Sequence, residues 1–284
     1  MRILVTNDDG IDSVGLHVLA RSMCPLGDVV VAAPDREYSG SSAAIGSLQQ
    51  IEPVLRVAHI DGIDESWSVT GAPALCVFLA RLGVFGEPFD VVVAGINPGA
   101  NVGRAVYHSG TVGAALTARN SGISGVAVSQ SVTGYGVEGQ GWDEMLADMR
   151  WETAGTVAAA VVGALVADLP DDPVVINVNV PNVELNAIKG WRHSTVGSIP
   201  PRTIGHAARH PIHGQEGAYS ISMSWGETRE LPPDTDGGTV ERQQVAVTYL
   251  GPLQDDPRSH LGAVDQALDS MLADTGTGRG AGGP

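Results

Sequence analysis

Met1-Arg-Ile-Leu-Val-Thr-Asn-Asp-Asp-Gly10 is the stretch whose reading decides the fold. Ile3–Val5 is a short apolar run that stops at Asn7, two adjacent acids and a glycine. Buried strands end this way. In an open α/β sheet, ligands sit just beyond the carboxyl ends of the strands, and Asp8 and Asp9 stand at such an end. Neighbouring carboxylates suit a hard divalent cation, which prefers oxygen ligands. They suit a bare phosphate poorly, because like charges repel. The same residues also make an Asx-type turn, in which Asn, Asp and Gly serve only their backbone habits. Taken alone, the decapeptide leaves both readings open.

Outward from it, Val/Ile/Ala-rich runs alternate with helical stretches. The pattern predicts strands at Arg2–Thr6, Asp28–Ala33, Asp90–Ala94, Gly125–Ser129 and Val174–Val178. It predicts helices at Val14–Met23, Ala72–Leu82, Thr111–Asn120 and Thr153–Asp168. Thr70 suits the cap of the second helix, with Pro73 in its first turn, and Ser109 suits the cap of the third. Such alternation argues an α/β fold, a mostly parallel sheet with helices on both faces. Ile51–Ile60 and Trp67–Val69 read as short strands in an excursion from that sheet. Gly190–Val196, Ser220–Ser224 and Val245–Tyr249 are β-like and separated by long polar loops, which in compact domains are usually functional or engage a partner. The expected organisation is a core over residues 1–182 and a β-rich extension of the same domain over 183–273. Its part up to residue 253 would pack on another subunit or on the core. Ser131–Trp142 is Gly-rich and reads as a mobile loop, and 274–284 as a disordered tail.

The bulk numbers exclude several classes. The 284 residues are 43 % apolar, enough for a substantial core. Acids outnumber bases 32 to 16, a formal charge of −16. Such a surface repels a polyanion, and no Lys/Arg run supplies a footprint, so double-stranded nucleic acid is not an expected partner. A single nucleotide is compatible, since a bound cation can offset its phosphate. Cys24 and Cys76, the two cysteines, read as small buried hydrophobes on helices and form no Cys-x-x-Cys motif. No apolar stretch is long enough to span a bilayer and the first strand begins at residue 2, so a cytoplasmic, non-membrane protein is expected.

Three strand ends carry polar clusters: Asn7-Asp-Asp-Gly10, Pro34-Asp-Arg-Glu-Tyr-Ser-Gly40 and Gly95-Ile-Asn-Pro-Gly-Ala-Asn-Val-Gly103. The last continues into His108-Ser-Gly-Thr-Val-Gly113, which opens a helix. A parallel sheet brings these ends to one edge. Asp8, Asp9, the Ser39 hydroxyl and the Asn97 amide oxygen would make a sparse all-oxygen ligand set of the kind magnesium and manganese use. Asn97, Gly99, Asn101 and Gly103 alternate, and successive amides in such a loop can cradle an anion. Ser109, Gly110 and Thr111 begin a helix whose free amides favour phosphate. Each piece also has a bland reading as a turn, a connection or a cap, and the conjunction at three strand ends shifts the weight.

That order of motifs resembles the SurE family, the survival-protein-E nucleotidases and phosphatases. The matching residues are Arg2–Gly10 with Gly15; Ala33–Glu37 with Ser39-Gly40; Val69–Pro73 with Cys76-Val77; Gly95–Asn97 with Gly99–Asn101 and Gly103; Ser109–Ala115; and Asn177–Pro181 followed by Ile188–Gly190. The resemblance implies a Rossmann-like core whose C-terminal segments are exchanged between subunits in homodimers or homotetramers. It implies one divalent cation per subunit, Mg²⁺ or Mn²⁺, held by Asp8, Asp9, Ser39 and Asn97. It also implies a 5'-nucleotidase or acid-phosphatase-like phosphomonoesterase acting on nucleoside 5'-monophosphates and other small phosphomonoesters. Ala94 stands where the family usually has Ser, and Ser41–Gly46 departs from its usual wording.

The expected chemistry is metal-assisted hydrolysis, with water as nucleophile and Asp8 or Asp9 as catalytic carboxylates. Asn7, Gly40, Gly99, Asn101, Ser109, Gly110 and Thr111 are the expected substrate contacts. An aspartyl-phosphate route generally uses Asp-x-Asp, which sets both acids on one side of a strand, whereas these acids are consecutive. Two other classes compete. A nicotinamide or flavin oxidoreductase would want Gly-x-Gly-x-x-Gly after the first strand, where two acids stand instead. A non-catalytic nucleotide-binding or assembly protein on the same fold is the remaining alternative. His206, His210 and His213 have metal-like spacing, but Pro211 and Gly214 mark the stretch as a loop with a structural or solvated role.

Overall fold

The computed structural model describes residues 1–46, 52–133, 146–199, 204–226, 229–254 and 262–273. The chain divides into a compact unit over Met1–Leu250 and a second unit from Gly251 onward. Most of the stretch read as a mobile loop, and the whole 274–284 tail, lie outside the described residues.

The first unit is built on a nine-stranded sheet. Its strands are β1 (Arg2–Thr6), β2 (Asp28–Pro34), β3 (Leu55–Val57), β4 (Glu65–Val69), β5 (Val91–Pro98), β6 (Ser124–Gln130), β7 (Val175–Val180), β8 (Trp191–His193) and β11 (Val245–Leu250). The spatial order is β3-β4-β2-β1-β5-β6-β7-β11-β8. From β4 to β7 every pairing is parallel, while β3 and β11 are antiparallel to β4 and β7. Four helices cover the sheet: α1 (Val14–Met23), α2 (Pro73–Arg81), α3 (Gly110–Asn120) and α4 (Trp151–Ala167). Their apolar stripes must face the sheet, and the strands, sandwiched on both sides, read as near-continuous Val/Ile/Ala runs. One core joins α1 and α4 to Ile3, Val5, Val29, Val31, Val93 and Val126. Another, on the opposite face, joins α2 and α3 to Leu4, Val30, Val92 and Ala94. The predicted α/β class, with helices on both faces, is the observed one.

Strand order reverses beside β1: the chain runs outward to β2 and β4 on one side and to β5, β6 and β7 on the other. The crevice between the ends of β1 and β5 is therefore a topological switch point, where open α/β sheets bind ligands. Asp8 and Asp9 follow β1, and Asn97 is the last residue but one of β5.

Several local expectations are corrected. The segments read as an excursion belong to the main sheet: β4 pairs in parallel with β2 from Val30–Glu65 to Pro34–Val69, and β3 pairs with β4 at the sheet edge. Beyond these corrections, the stretch expected as a C-terminal extension of the same domain supplies β8 and β11 to this sheet. Thr70 does not cap α2; Ala72 holds that position without a side-chain bond, and the Thr70 hydroxyl instead accepts from the Val54 amide at 2.8 Å. The strand predicted to end at Ala94 continues to Pro98 through an irregular register. Gly95 makes this possible: its φ is +135°, and a Cβ there would strike the Val128 carbonyl. His206 and His210 lie not on a loop but on β9 (Ile204–Pro211), paired antiparallel with β10 (Tyr219–Trp225). Cys24 is exposed, in a short turn that follows α1, and only Cys76 is buried. A short helix, α5 (Asp236–Glu241), precedes β11; the second unit contains α6 (Gly262–Ala273). Among the described residues no helix is long and apolar enough to cross a membrane.

Candidate active site

Asp8 is the hub of the site. Buried to 2 % exposure, its carboxylate lies at the start of α3, where Thr111 Oγ1 donates to Oδ1 at 2.5 Å and the Gly110 amide to Oδ2 at 3.1 Å. A helix N-terminus leaves amides unpaired and favours an anion, and here the protein's own carboxylate fills that place. Ser109 caps the helix as predicted, its hydroxyl accepting from the Val112 amide at 3.0 Å. The approach requires glycine: a Cβ on residue 110 would lie 2.8 Å from Asp8 Oδ2 and from Ser41 Oγ. Burial nevertheless raises the Asp8 pKa, the hydrogen bonds opposing it.

Asp9 is half-buried and differently placed. Its Oδ2 is buried without a hydrogen-bond partner, a costly state for a carboxylate. Burial first, then the charges of Asp8 and Glu37, push its pKa up to about 8. The loop after β2 joins the two acids at this edge. The Tyr38 amide donates to the Asp8 carbonyl at 2.7 Å and the Ser42 amide to the His108 carbonyl at 3.1 Å. Ser39 and Gly40 are exposed on that loop. Asn97 is anchored through its amide nitrogen, which donates to the Gly99 carbonyl at 2.6 Å, so a ligand would meet its oxygen. Asp8, Asp9, Ser39 and Asn97 thus belong to elements that meet at the switch point. Their donor atoms are all oxygen, and one carboxylate oxygen is orphaned. That set fits a hard divalent cation.

Other residues expected to touch substrate are committed to the fold. Asn7 closes the turn, donating to the Gly10 carbonyl at 3.1 Å and to Ser13 Oγ at 2.7 Å. The Gly99 amide donates to the Gln130 carbonyl at 2.7 Å. Asn101 donates to Ser129 Oγ at 2.9 Å, and its carbonyl accepts from Asn177 and Asn179 at 2.9 and 3.2 Å. The Gly103 amide, the end of the alternating loop, donates to Asp236 Oδ2 at 2.8 Å. Gly110 and Thr111 face Asp8, with no open anion position between them and it.

Two further residues were given no role by the sequence reading. Ser41 Oγ is buried and unpartnered beside Gly110, and Glu37 stands close enough to Asp9 to raise its pKa. The signal for Ser41 was its hydroxyl two places after Ser39; Glu37 lay inside the polar cluster after β2 but was assigned no role there. Among the described residues no group of three or more His, Cys, Asp or Glu side chains is placed to hold a metal, and His210 bonds Ser222 Oγ at 2.8 Å.

A doubly wound parallel sheet, with an acid pair and an amide oxygen at its switch point, defines an α/β protein with polar side chains gathered where open sheets of this class bind small ligands. The particular family follows from comparison. Residues 3–200 match the family described as Survival protein SurE. The 5'-nucleotidase SurE of Mannheimia succiniciproducens is 36 % identical over 277 residues, 95 % of this chain and all of that one. The protein of the same name from Legionella pneumophila is 40 % identical over 254 residues, 88 % of this chain and 90 % of its own. The 5'/3'-nucleotidase SurE of Erwinia tasmaniensis is 34 % identical over 273 residues, covering 96 % and 97 %. The crystal structure of the SurE protein from Aquifex aeolicus superposes with a TM-score of 0.70 at 28 % identity, covering 95 % of this chain and all of that one. The chain belongs to the SurE family.

Proposed function

We propose that this protein releases phosphate from nucleoside 5'-monophosphates, and from smaller phosphomonoesters, with a divalent cation, Mg²⁺ or Mn²⁺, held by Asp8, Asp9, Ser39 and Asn97. The relatives' names support the nucleotidase reading. The observation that carries the cation is the buried, unpartnered Asp9 Oδ2 beside a second buried carboxylate. Bound there, the cation supplies Lewis-acid polarisation of a phosphoryl oxygen. Gly110 and Thr111 fix the Asp8 carboxylate so that its charge is aimed before substrate arrives. Asp9, through the carboxylate oxygen that does not hold the cation, is the base that orients the attacking water and accepts its proton. Asn97, tethered at Gly99, presents its carbonyl oxygen, and Ser41 Oγ offers a donor to the phosphate.

The test measures phosphate release from AMP, GMP, UMP and p-nitrophenyl phosphate with Mg²⁺, Mn²⁺ or EDTA. Cation-dependent turnover, reduced at least a hundredfold in Asp8→Asn and Asp9→Asn, is the expected result. Near-normal activity in both variants refutes the mechanism, and nucleotide binding without turnover refutes the enzyme. We also infer self-association into a homodimer or homotetramer through the β9–β10 hairpin, which leaves Tyr219, Ile221 and Met223 largely exposed. Light scattering that returns a monomer at micromolar concentration would overturn that inference.

A further inference from the structure

A second group of buried polar atoms lies on β7 and β11, beyond β5 and β6 from the strand that carries the acid pair. Asn177 and Asn179 stand two apart on β7, so their side chains share one face. Thr248 on β11 is directly opposite Asn177, and Ser129 on β6 lies beside Asn179, which brings both to that face. Ala127 beside Asn177 and Ala246 opposite Asn179 are small and leave room between the polar side chains. Ala127 packs with Val112 and Ala115 of α3, and Ala246 with Val240 of α5, so the group is covered. Asn177, Asn179 and Thr248 are all buried. Both amide nitrogens donate to the one carbonyl of Asn101, at 2.9 and 3.2 Å. Asn177 Oδ1, Asn179 Oδ1 and Thr248 Oγ1 are left buried with no hydrogen-bond partner among the described residues.

An unpartnered buried polar atom is costly, and three on adjoining positions call for a shared partner. A backbone carbonyl only accepts, so both amides must turn their nitrogens to Asn101, and the oxygens left over are acceptors as well. The Thr248 hydroxyl has a single proton and cannot serve both. The set is closed by a group with two donors and one acceptor site, donating to Asn177 Oδ1 and Asn179 Oδ1 and accepting from Thr248 Oγ1. Water is such a group, and about three hydrogen bonds are what buried waters make. A monovalent cation fits worse, because a buried charge needs a counter-charge. Asp236, the carboxylate that α5 brings over β11, has both oxygens taken by the amides of Gly103, Gly197 and Gly237. The group bears on the strand-end site through Asn101. Asn97 donates to the Gly99 carbonyl at 2.6 Å, and two residues further on Asn101 is fastened to Ser129, Asn177 and Asn179. We propose that Asn177, Asn179 and Thr248 hold one internal water, and that this water-locked latch on Asn101 positions Asn97. The positioning role rests on the cation site proposed above; the water does not.

The test uses the full-length protein with Thr248→Val, which keeps the shape and removes the hydroxyl, and Thr248→Ser, which keeps the hydroxyl. A crystal structure that resolves ordered waters should show one density peak within about 2.7–3.2 Å of all three oxygens. No peak, or a peak that reaches only one of them, overturns the water. Removing a hydroxyl that bonds nothing would raise the melting temperature, since an unsatisfied buried group is lost. With the water in place, Thr248→Val should lower it by about 2–4 °C. An unchanged or higher value counts against the water. A melting temperature that climbs in KCl but not in choline chloride of equal strength assigns the place to a monovalent cation instead. Mn²⁺ affinity, read by calorimetry, should fall about threefold to tenfold in Thr248→Val, less than for a group bonded directly to a metal ligand. It should return to near the parent value in Thr248→Ser. An affinity unchanged in Thr248→Val, or equally lost in Thr248→Ser, overturns the positioning role. A parent protein that binds no Mn²⁺ overturns the cation reading and the positioning role with it, while density and melting still decide the water.

Discussion

Asp236→Ala is the perturbation whose cost the structure lets one work out most fully. Asp236 is buried to 1 % exposure at the start of α5. Its Oδ2 accepts from the Gly103 amide at 2.8 Å, and its Oδ1 accepts from Gly197 and Gly237 at 3.0 and 2.8 Å. One carboxylate therefore closes the loop after β5, holds the segment after β8 and takes up the Gly237 amide in the first turn of its own helix, which Thr235 caps. A hydrogen bond to a charged group contributes about 1.5–3 kcal/mol. Losing three, partly offset by no longer burying the carboxylate, should cost about 3–5 kcal/mol. Asp236→Asn keeps an oxygen for part of this set and should cost about half as much. Urea unfolding followed by tryptophan fluorescence gives both values, provided the slope of the transition is unchanged. Activity should fall as well, because Gly103 anchors the loop that leaves β5 just past Asn97. An Asp236→Ala protein within about 1 kcal/mol of the parent would refute the reasoning, since that is the ordinary range of a surface substitution.

Gly110→Ala places a methyl 2.8 Å from Asp8 Oδ2 and Ser41 Oγ; it should displace Asp8, cut kcat at least tenfold and lower stability by about 1–3 kcal/mol, checked by steady-state rates and thermal melts. In EDTA the protein should lose stability as pH rises from about 4 to about 8. The folded state keeps a proton on Asp9, whose pKa is pushed up to about 8 from 3.8, while the unfolded chain has released it. Mn²⁺ should flatten that slope, and a melting temperature that rises between pH 5 and 8 without metal would count against it. Thiol titration should modify Cys24 in the native protein and Cys76 only in denaturant, since Cys24 is exposed and burial pushes the Cys76 thiol up to about 12.

The strands and helices from β1 to β7 were legible because each is buried on one or two faces, and burial writes itself into the sequence as apolar runs. The same logic explains the misses. Ile204-Gly-His-Ala-Ala-Arg-His-Pro211 pairs along its length with β10 yet lies mostly exposed, so no period-two pattern marks it. Val245–Leu250 reads as a strand, but its place beside β7 is a pairing across a long stretch of chain, which periodicity does not encode. Asp236 drew no role from its local sequence, because its bond to Gly103 spans 133 residues.

At the site, the residue types were legible and their partners were not. Ser-Gly-Thr at the head of α3 reads as an anion site, and it is one: the anion it holds is Asp8. A helix N-terminus cannot tell a carboxylate of its own chain from a ligand's phosphate, because both present the same charge to the same amides. Once Asp8 occupies that place, a phosphate arriving at the edge meets two carboxylates and few uncommitted donors, Ser41 Oγ among them. A cation between them would draw the proton from Asp9 and offset the charge that the two acids present to the phosphate. The geometry that gives the helix start to Asp8 therefore supports the proposal that a cation mediates between the acid pair and the phosphate.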